Sequence, residues 1–269
     1  MPELPEVETV LRTLETRIKD QPIKEIDILW DNIIVGDKQL FKNQLRNQHF
    51  RHFKRRGKYM IFEMDDVAFV SHLRMEGKYY IEPFNQENSK HIHVVFHLED
   101  FDLKYHDTRK FGKMEIIPLQ NDYHIFKNLG PEPFDNRYNI SYVAPILKKS
   151  NKSIKEILLD QSFVAGIGNI YADEILFLTG VRPSKKANKL TLKQMSQLIE
   201  NTKIVLNEAI EMGGTTIRSY TSSLKVTGLF QQKLYVHTRV NQPCVRCENT
   251  ILKTRVGGRG TYYCAKCQK

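Results

Sequence analysis

The sequence predicts an α+β fold: an N-terminal β-sandwich with a leading helix, then a helical part, then a cysteine-bearing tail. Three observations carry this expectation. Apolar residues recur at helical spacing in the first twenty positions, alternate with period two from Ile23 to about Pro118, and return to helical spacing in the second half. A Gly130-Pro131-Glu132-Pro133 punctuation separates the two regimes. All four cysteines fall within the last 26 of the 269 residues.

In the opening helix, Val7, Val10, Leu11, Leu14 and Ile18 define one buried face. Pro2 and Pro5 sit where a helix start tolerates proline, and Glu3 and Glu6 suit its positive end. Ile92, Val94, Phe96 and Leu98 alternate with His91, His93, Val95 and His97, the pattern of a half-buried strand. Residues 59–63, 68–70, 78–81 and 113–117 read as further strands, and several short strands behind one helix form a two-layer sandwich.

Residues 1–130 make the first domain, 131–150 a linker, 151–230 a helical domain and 231–269 the tail. Ile154, Ile157 and Leu158 begin a helix, Gly166-Ile167-Gly168-Asn169 interrupts it, and it resumes from Ile170 to Leu178. Thr191 and Gln194 form a capping box before a long apolar periodicity that Gly213-Gly214 closes.

The balance of 41 Lys+Arg against 31 Asp+Glu gives a net charge of +10, which attracts polyanions. No segment reaches the roughly 18 consecutive apolar residues of a membrane span, and the first residues lack the basic and apolar regions of a signal peptide. A soluble cytoplasmic protein without membrane partners is expected.

Cys244-x2-Cys247 and Cys264-x2-Cys267 stand 16 residues apart. This is the spacing of a four-thiolate zinc site, in which each pair grips from a tight turn. A redox dithiol pair is the competing reading. Four thiolates leave no open position on the metal, so one structural Zn2+ is expected, with no catalytic cofactor. Between the pairs, residues 251–256 and 261–263 flank Gly257-Gly258-Arg259-Gly260, a β-hairpin whose glycine-rich tip carries Arg259.

An N-terminal amine has a pKa of about 7.7–8.0, against about 10.4 for lysine, so about a tenth of it is neutral and nucleophilic at pH 7. Pro2 supplies such an amine once Met1 is removed, with Glu3 and Glu6 beside it. On these residues alone, Met-Pro-Glu is equally a good way to begin a helix.

The stretch Pro2-Glu3-Leu4-Pro5-Glu6-Val7-Glu8-Thr9 resembles the N-terminal signature of bacterial formamidopyrimidine-DNA glycosylases. So, in order along nearly the whole chain, do residues 56–59, 72–77, 107–112, 129–133, 166–172, 213–216 and the four-cysteine tail. Thr108 and Lys110 depart from the pattern, standing where other members often have proline and arginine.

The resemblance implies a β-sandwich, a helix–two-turn–helix domain with a lesion loop, and a C-terminal zinc-binding β-hairpin. It implies removal of oxidised purines (8-oxoguanine, formamidopyrimidines) from double-stranded DNA, with strand cleavage, by a bacterial, nucleoid-associated monomer. It assigns Pro2 as the nucleophile, Glu3 as the acid on the opening sugar, Glu6 as its positioner, and Lys58 and Arg259 to the departing phosphates. Met75 and Phe111 would be wedges in the base stack and Arg109 would meet the orphaned cytosine. By spacing alone, Met75 and Phe111 read as core residues, and Lys58 and Arg259 as surface cations. Lys58, His72, His91, Arg109, Asn169, Arg259, Lys152 and Lys155 are the phosphate-contact candidates. Residues 215–223 resemble the loop that closes over the extruded base. Two alternatives compete: an endonuclease VIII-like glycosylase for oxidised pyrimidines, and a non-catalytic zinc-finger DNA-binding protein.

Overall fold

The computed structural model describes residues 1–84, 86–119, 124–215 and 228–269. The chain forms two compact units, the first made of Met1–Lys127 with Gly213–Gly228, the second of Asn128–Met212 with Leu229–Lys269.

The first unit opens with α1 (Leu4–Ile18), which buries Leu4, Val7, Val10, Leu11, Leu14 and Ile18 along the face read from the sequence. Two sheets follow. One has the antiparallel order β1 (Glu25–Ile28), β7 (Ile92–His97), β8 (Asp102–His106), β6 (Lys78–Glu82). The other runs β2 (Ile34–Val35), β9 (Lys113–Pro118), β5 (Val67–His72), β4 (Tyr59–Glu63), β3 (His52–Arg56), with only the β2–β9 pair parallel. Phe62 stacks on Phe69 at 4.7 Å between centroids and Phe69 on Phe96 at 5.6 Å, so one aromatic column crosses from sheet to sheet. A short helix, α2 (Lys38–Leu45), capped by the Asp37 carboxylate, adds Phe41 and Leu45 to this core.

β7 corrects one expectation. It is buried on both faces rather than half-buried, because it lies inside its sheet and its alternate residues His93 and Val95 are covered as fully as Val94 and Phe96.

In the second unit, α4 (Ile154–Leu159), α5 (Asn169–Thr179) and α6 (Leu192–Glu211) fall where the sequence places them, α6 behind its Thr191/Gln194 capping box. The span 131–150 is not a linker. It contains α3 (Ile140–Lys149), whose Val143 and Leu147, one turn apart, are fully buried. Pro145 and the Lys148-Lys149 pair disguise that helix in the sequence. Gly213, Gly214 and Thr215 also belong with the first unit rather than with the helices that precede them. The tail forms the hairpin β10 (Leu252–Val256) and β11 (Arg259–Tyr263). Its two-residue turn, Gly257-Gly258, has φ of 55° and 73°, the mirror-image turn that matches strand twist. Arg259 is therefore the first residue of β11, opposite Val256, rather than part of the tip.

Leu147→Ala is expected to destabilise the second unit by about 2–5 kcal/mol, as for a fully buried leucine. A side chain in a true linker would change stability by less than about 0.5 kcal/mol. Thermal unfolding of the variant distinguishes the two.

Candidate active site and zinc centre

The first turn of α1 is built around two buried carboxylates. Glu3 and Glu6 are 2% and 4% exposed, yet neither lacks compensation. Glu3 N donates to Glu6 Oε2 at 2.9 Å, the return arm of a capping box that satisfies an orphan N–H of the helix end. Glu6 Oε1 accepts from the backbone N and the hydroxyl of Thr215 at 2.8 and 3.0 Å. Glu6 thus ties the helix start to the beginning of the segment expected to close over a base. The rest of that segment, residues 216–223, lies outside the described residues. Pro2 is buried beside Glu3, and its nitrogen is an amide until Met1 is removed.

Glu8, one turn further on, explains how the helix is held. Its carboxylate accepts from Arg55 Nε at 2.7 Å, and Arg55 Nη1 donates onward to the Gly57 carbonyl at 3.0 Å. Burial works to raise the Glu8 pKa, but Arg55 and Arg12 outweigh it and hold the carboxyl below its ordinary range. The bridge fixes α1 against the β3–β4 turn, which carries Lys58. Lys58 is 6% exposed, far from the free surface cation its type suggests.

His72 ends β5 opposite Tyr59, their rings 4.5 Å apart edge to face. Its Nδ1 accepts from Arg74 N at 2.9 Å, which leaves Nε2 to carry the proton. Burial, reinforced by the Arg74 and Lys58 charges, pushes its pKa down to about 3. A neutral imidazole with one N–H can donate a hydrogen bond without adding charge.

Met75 is half-buried in the turn after His72, and Phe111 is 50% exposed with the Arg109 guanidinium 4.9 Å above its ring. A bulky aromatic half in water is unusual for a core residue. His91 is half-buried, its ring 5.5 Å from that of His106.

In the second unit, Asn169 opens α5 and donates through Nδ2 to the Gly260 carbonyl at 2.9 Å, so the residue beside Arg259 is tied to a helix start. Its buried Oδ1 has no partner among the described residues. Arg259 and Lys152 are exposed. Gly166 N donates to Gln161 Oε1 at 2.9 Å while Gln161 Nε2 donates to the Ile167 carbonyl at 2.8 Å, so this one amide clamps the glycine turn.

Lys155 corrects the expectation of a phosphate contact. It is fully buried, with Nζ donating to Asp173 Oδ1 at 2.6 Å, Thr261 Oγ1 at 2.8 Å and the Gly260 carbonyl at 3.2 Å. All three ammonium hydrogens are used inside the unit, which is what makes burying the charge tolerable. Asp173 completes the cluster by bonding His237 Nδ1 at 2.9 Å and Tyr262 N at 3.2 Å. Sequence reading missed Gln161 and Asp173, which sit in an apolar context with no spacing signal of their own.

The four cysteine sulfurs lie within 4.8 Å of one another, the Cys244–Cys267 and Cys247–Cys264 pairs at 3.8 and 3.5 Å. Tetrahedral thiolates at about 2.3 Å from zinc stand about 3.8 Å apart, so the site fits the ion. Burial and the neighbouring sulfurs push the Cys267 thiol up to about 12, a cost that a bound cation reverses. Behind the site, Gln268 is fully buried, accepting from Cys264 N at 2.8 Å and donating to the Val181 carbonyl at 3.0 Å.

Two outcomes follow. His72 binds a proton when unfolded (ordinary pKa about 6.5) but not when folded, so its contribution to stability is complete above pH 6.5 and lost as pH falls towards 3. His72→Asn should flatten the acid limb of a stability–pH profile measured by urea unfolding. Chelation of the metal should unfold the hairpin and weaken DNA binding; a tail whose circular dichroism and DNA affinity survive chelation would contradict a structural zinc.

Comparison with known proteins accords with this geometry. Residues 1–114 match the model of the formamidopyrimidine-DNA glycosylase N-terminal domain, 129–221 that of the H2TH domain of the same enzymes, and 241–269 that of a zinc finger found in FPG and IleRS. The formamidopyrimidine-DNA glycosylase of Bacillus licheniformis is 45% identical over all of both chains, and that of Bacillus subtilis is 44% identical over 100% of this chain and 99% of its own. Among solved structures, the Lactococcus lactis Fpg in complex with an abasic-site DNA is 40% identical, with a TM-score of 0.94 over 99% of each chain. A mutant of that protein bound to Fapy-dG DNA superposes with a TM-score of 0.95 over the full length of both. With all three domain types matched in order, the chain belongs to the formamidopyrimidine-DNA glycosylase family.

Proposed function

We propose that this chain is a base-excision repair enzyme that removes oxidised purines, notably 8-oxoguanine and formamidopyrimidines, from duplex DNA and then cleaves the strand at the resulting site. It acts as a monomer in the bacterial cytoplasm, at the nucleoid; no helix among the described residues is long and apolar enough to cross a membrane. The observation that carries the reading is the buried start of α1, where two buried carboxylates, Glu3 and Glu6, follow a buried proline whose nitrogen is one cleavage away from being an amine.

Once Met1 is removed, the neutral Pro2 nitrogen attacks C1′ of the damaged nucleotide, and the base departs with the glycosidic electron pair and takes up the proton that the nitrogen sheds. Glu3 delivers a proton to the sugar oxygen as the ring opens, and the product is an iminium on Pro2. Glu6 holds the Glu3 backbone in place for that transfer. The iminium acidifies C2′–H; loss of that proton expels the 3′ phosphate, and a second elimination expels the 5′ phosphate. Lys58 and Arg259 stabilise the departing phosphates through fixed positive charge. Chemistry at C1′ requires the nucleotide to leave the stack. Met75 and Phe111 fill the gap, and Arg109 meets the exposed edge of the orphaned cytosine. His72, His91, Asn169 and Lys152 contact phosphates. The zinc ion holds the hairpin that carries Arg259 and itself takes no part in the chemistry.

Borohydride reduction in the presence of an 8-oxoguanine:cytosine duplex should trap a covalent adduct with wild-type protein whose N-terminus is proline by mass spectrometry. Pro2→Gly should lose most base release, at least about 100-fold, the scale expected for loss of a covalent catalyst. Full activity in that variant, or preference for oxidised pyrimidines over 8-oxoguanine in a cleavage panel, would overturn the proposal.

A further inference from the structure

The two turns that carry Met75 and the Arg109–Phe111 pair share a buried scaffold. Its centre is Asp107, fully buried at the end of β8. Oδ1 accepts from Arg109 N at 2.9 Å, and Oδ2 accepts from Phe111 N at 2.9 Å and Gly112 N at 2.8 Å. The main chain of Asp107 is fixed as well: its N donates to the His91 carbonyl at 2.9 Å, and its carbonyl meets the buried His93 Nε2 at 2.7 Å. Within this turn Lys110 holds a left-handed φ of 57°, a conformation that side chains other than glycine adopt only when their surroundings impose it. A carboxylate gathering three N–H groups is such an imposition.

The scaffold also joins the two turns. The Tyr105 hydroxyl lies where a side chain at Gly77 or at Gly112 would collide with it, so the ends of both turns are pressed against one ring. On the outside, Thr108 Oγ1 donates to Glu76 Oε2, a bond from one turn to the other. A proline at position 108 could not make it.

We propose that Asp107 is a positioning residue for base excision. Its carboxylate pre-forms the turn that presents Arg109 and Phe111, and the Tyr105 and Thr108–Glu76 contacts couple the Met75 turn to it, so that three side chains enter the duplex as one rigid body. The proposal rests on the assignment of those three as the gap-filling residues. The gain lies in preorganisation: a turn already in its inserted geometry loses no further conformational freedom on binding.

The test compares full-length Asp107→Asn with wild type. Asparagine keeps the size but turns an amide NH2 towards N–H donors, whichever way it is oriented. Cleavage of an 8-oxoguanine:cytosine duplex should fall by about 10- to 100-fold, the cost of misplacing groups that orient a substrate. Cleavage of an abasic site in single-stranded DNA, which has no orphaned partner or stack to fill, should change by no more than about 3-fold, on the order of 1 kcal/mol or less. A 2-aminopurine base beside the lesion should lose the fluorescence change that reports insertion. In a double-mutant cycle, Asp107→Asn should cost little more once Phe111 and Arg109 are already alanine. Thr108→Val, which removes only the exposed turn-to-turn bond, supplies the same comparison should Asp107→Asn fold poorly. It should reduce duplex cleavage and be non-additive with Met75→Ala. Equal losses on duplex and single strand, or full additivity in both cycles, would overturn the proposal. If Phe111→Ala and Arg109→Ala leave duplex cleavage intact, the gap-filling assignment itself fails; if they lose activity while Asp107→Asn and Thr108→Val do not, only the positioning role fails.

Discussion

Glu3 and Glu6 place two buried carboxylates at the start of α1, shielded from water, where the N–H groups of the helix start and Thr215 compensate them. That constraint organises the first unit. A main-chain nitrogen has no side-chain torsions with which to aim itself, so whatever directs Pro2 must be done by the helix behind it. The apolar face of α1 sets its depth on the sandwich, and the Glu8–Arg55–Gly57 bridge sets its register against the turn that bears Lys58. If the helix slid by one turn, the carboxylates would lose their donors and the bridge would break together.

The second unit uses the same device with the charges reversed. Lys155 is withdrawn from the surface and spent on Asp173, Thr261 and the Gly260 carbonyl, so a helix, a strand of the zinc hairpin and the His237 segment share one hydrogen-bonded centre. Asn169 grips the same carbonyl from the start of α5. Both units therefore build their candidate sites on buried charged side chains that are compensated by several hydrogen bonds each. Full satisfaction is what lets such clusters rigidify a site instead of destabilising it.

Much of this was legible in the sequence because the signals were periodic or strictly spaced. The α1 stripe, the capping box of α6, the CxxC pairs and the hairpin between them each follow from local rules that tertiary structure had no reason to override. What escaped was whatever depends on a partner distant in sequence. β3, His-Phe-Lys-Arg-Arg, was not assigned, because its basic residues fit a strand only with Glu8 and Glu63 there to neutralise Arg55 and Lys54. α3 hides behind Pro145 and two lysines because its two buried residues are too few to show a period. Lys155 looks like Lys152, three positions away, and only the fold separates the buried one from the exposed one. Asp107 stood inside a recognised motif, but nothing local distinguishes a carboxylate that binds three backbone N–H groups from one facing water.

The buried side chain of Gln268 extends the metal site beyond its four ligands. It braces the Cys264 backbone against Val181, and Lys269 beside it exchanges backbone bonds with Gly180 and Arg182. Loss of these two residues would thus loosen the metal site and the end of α5 together, although neither supplies a ligand.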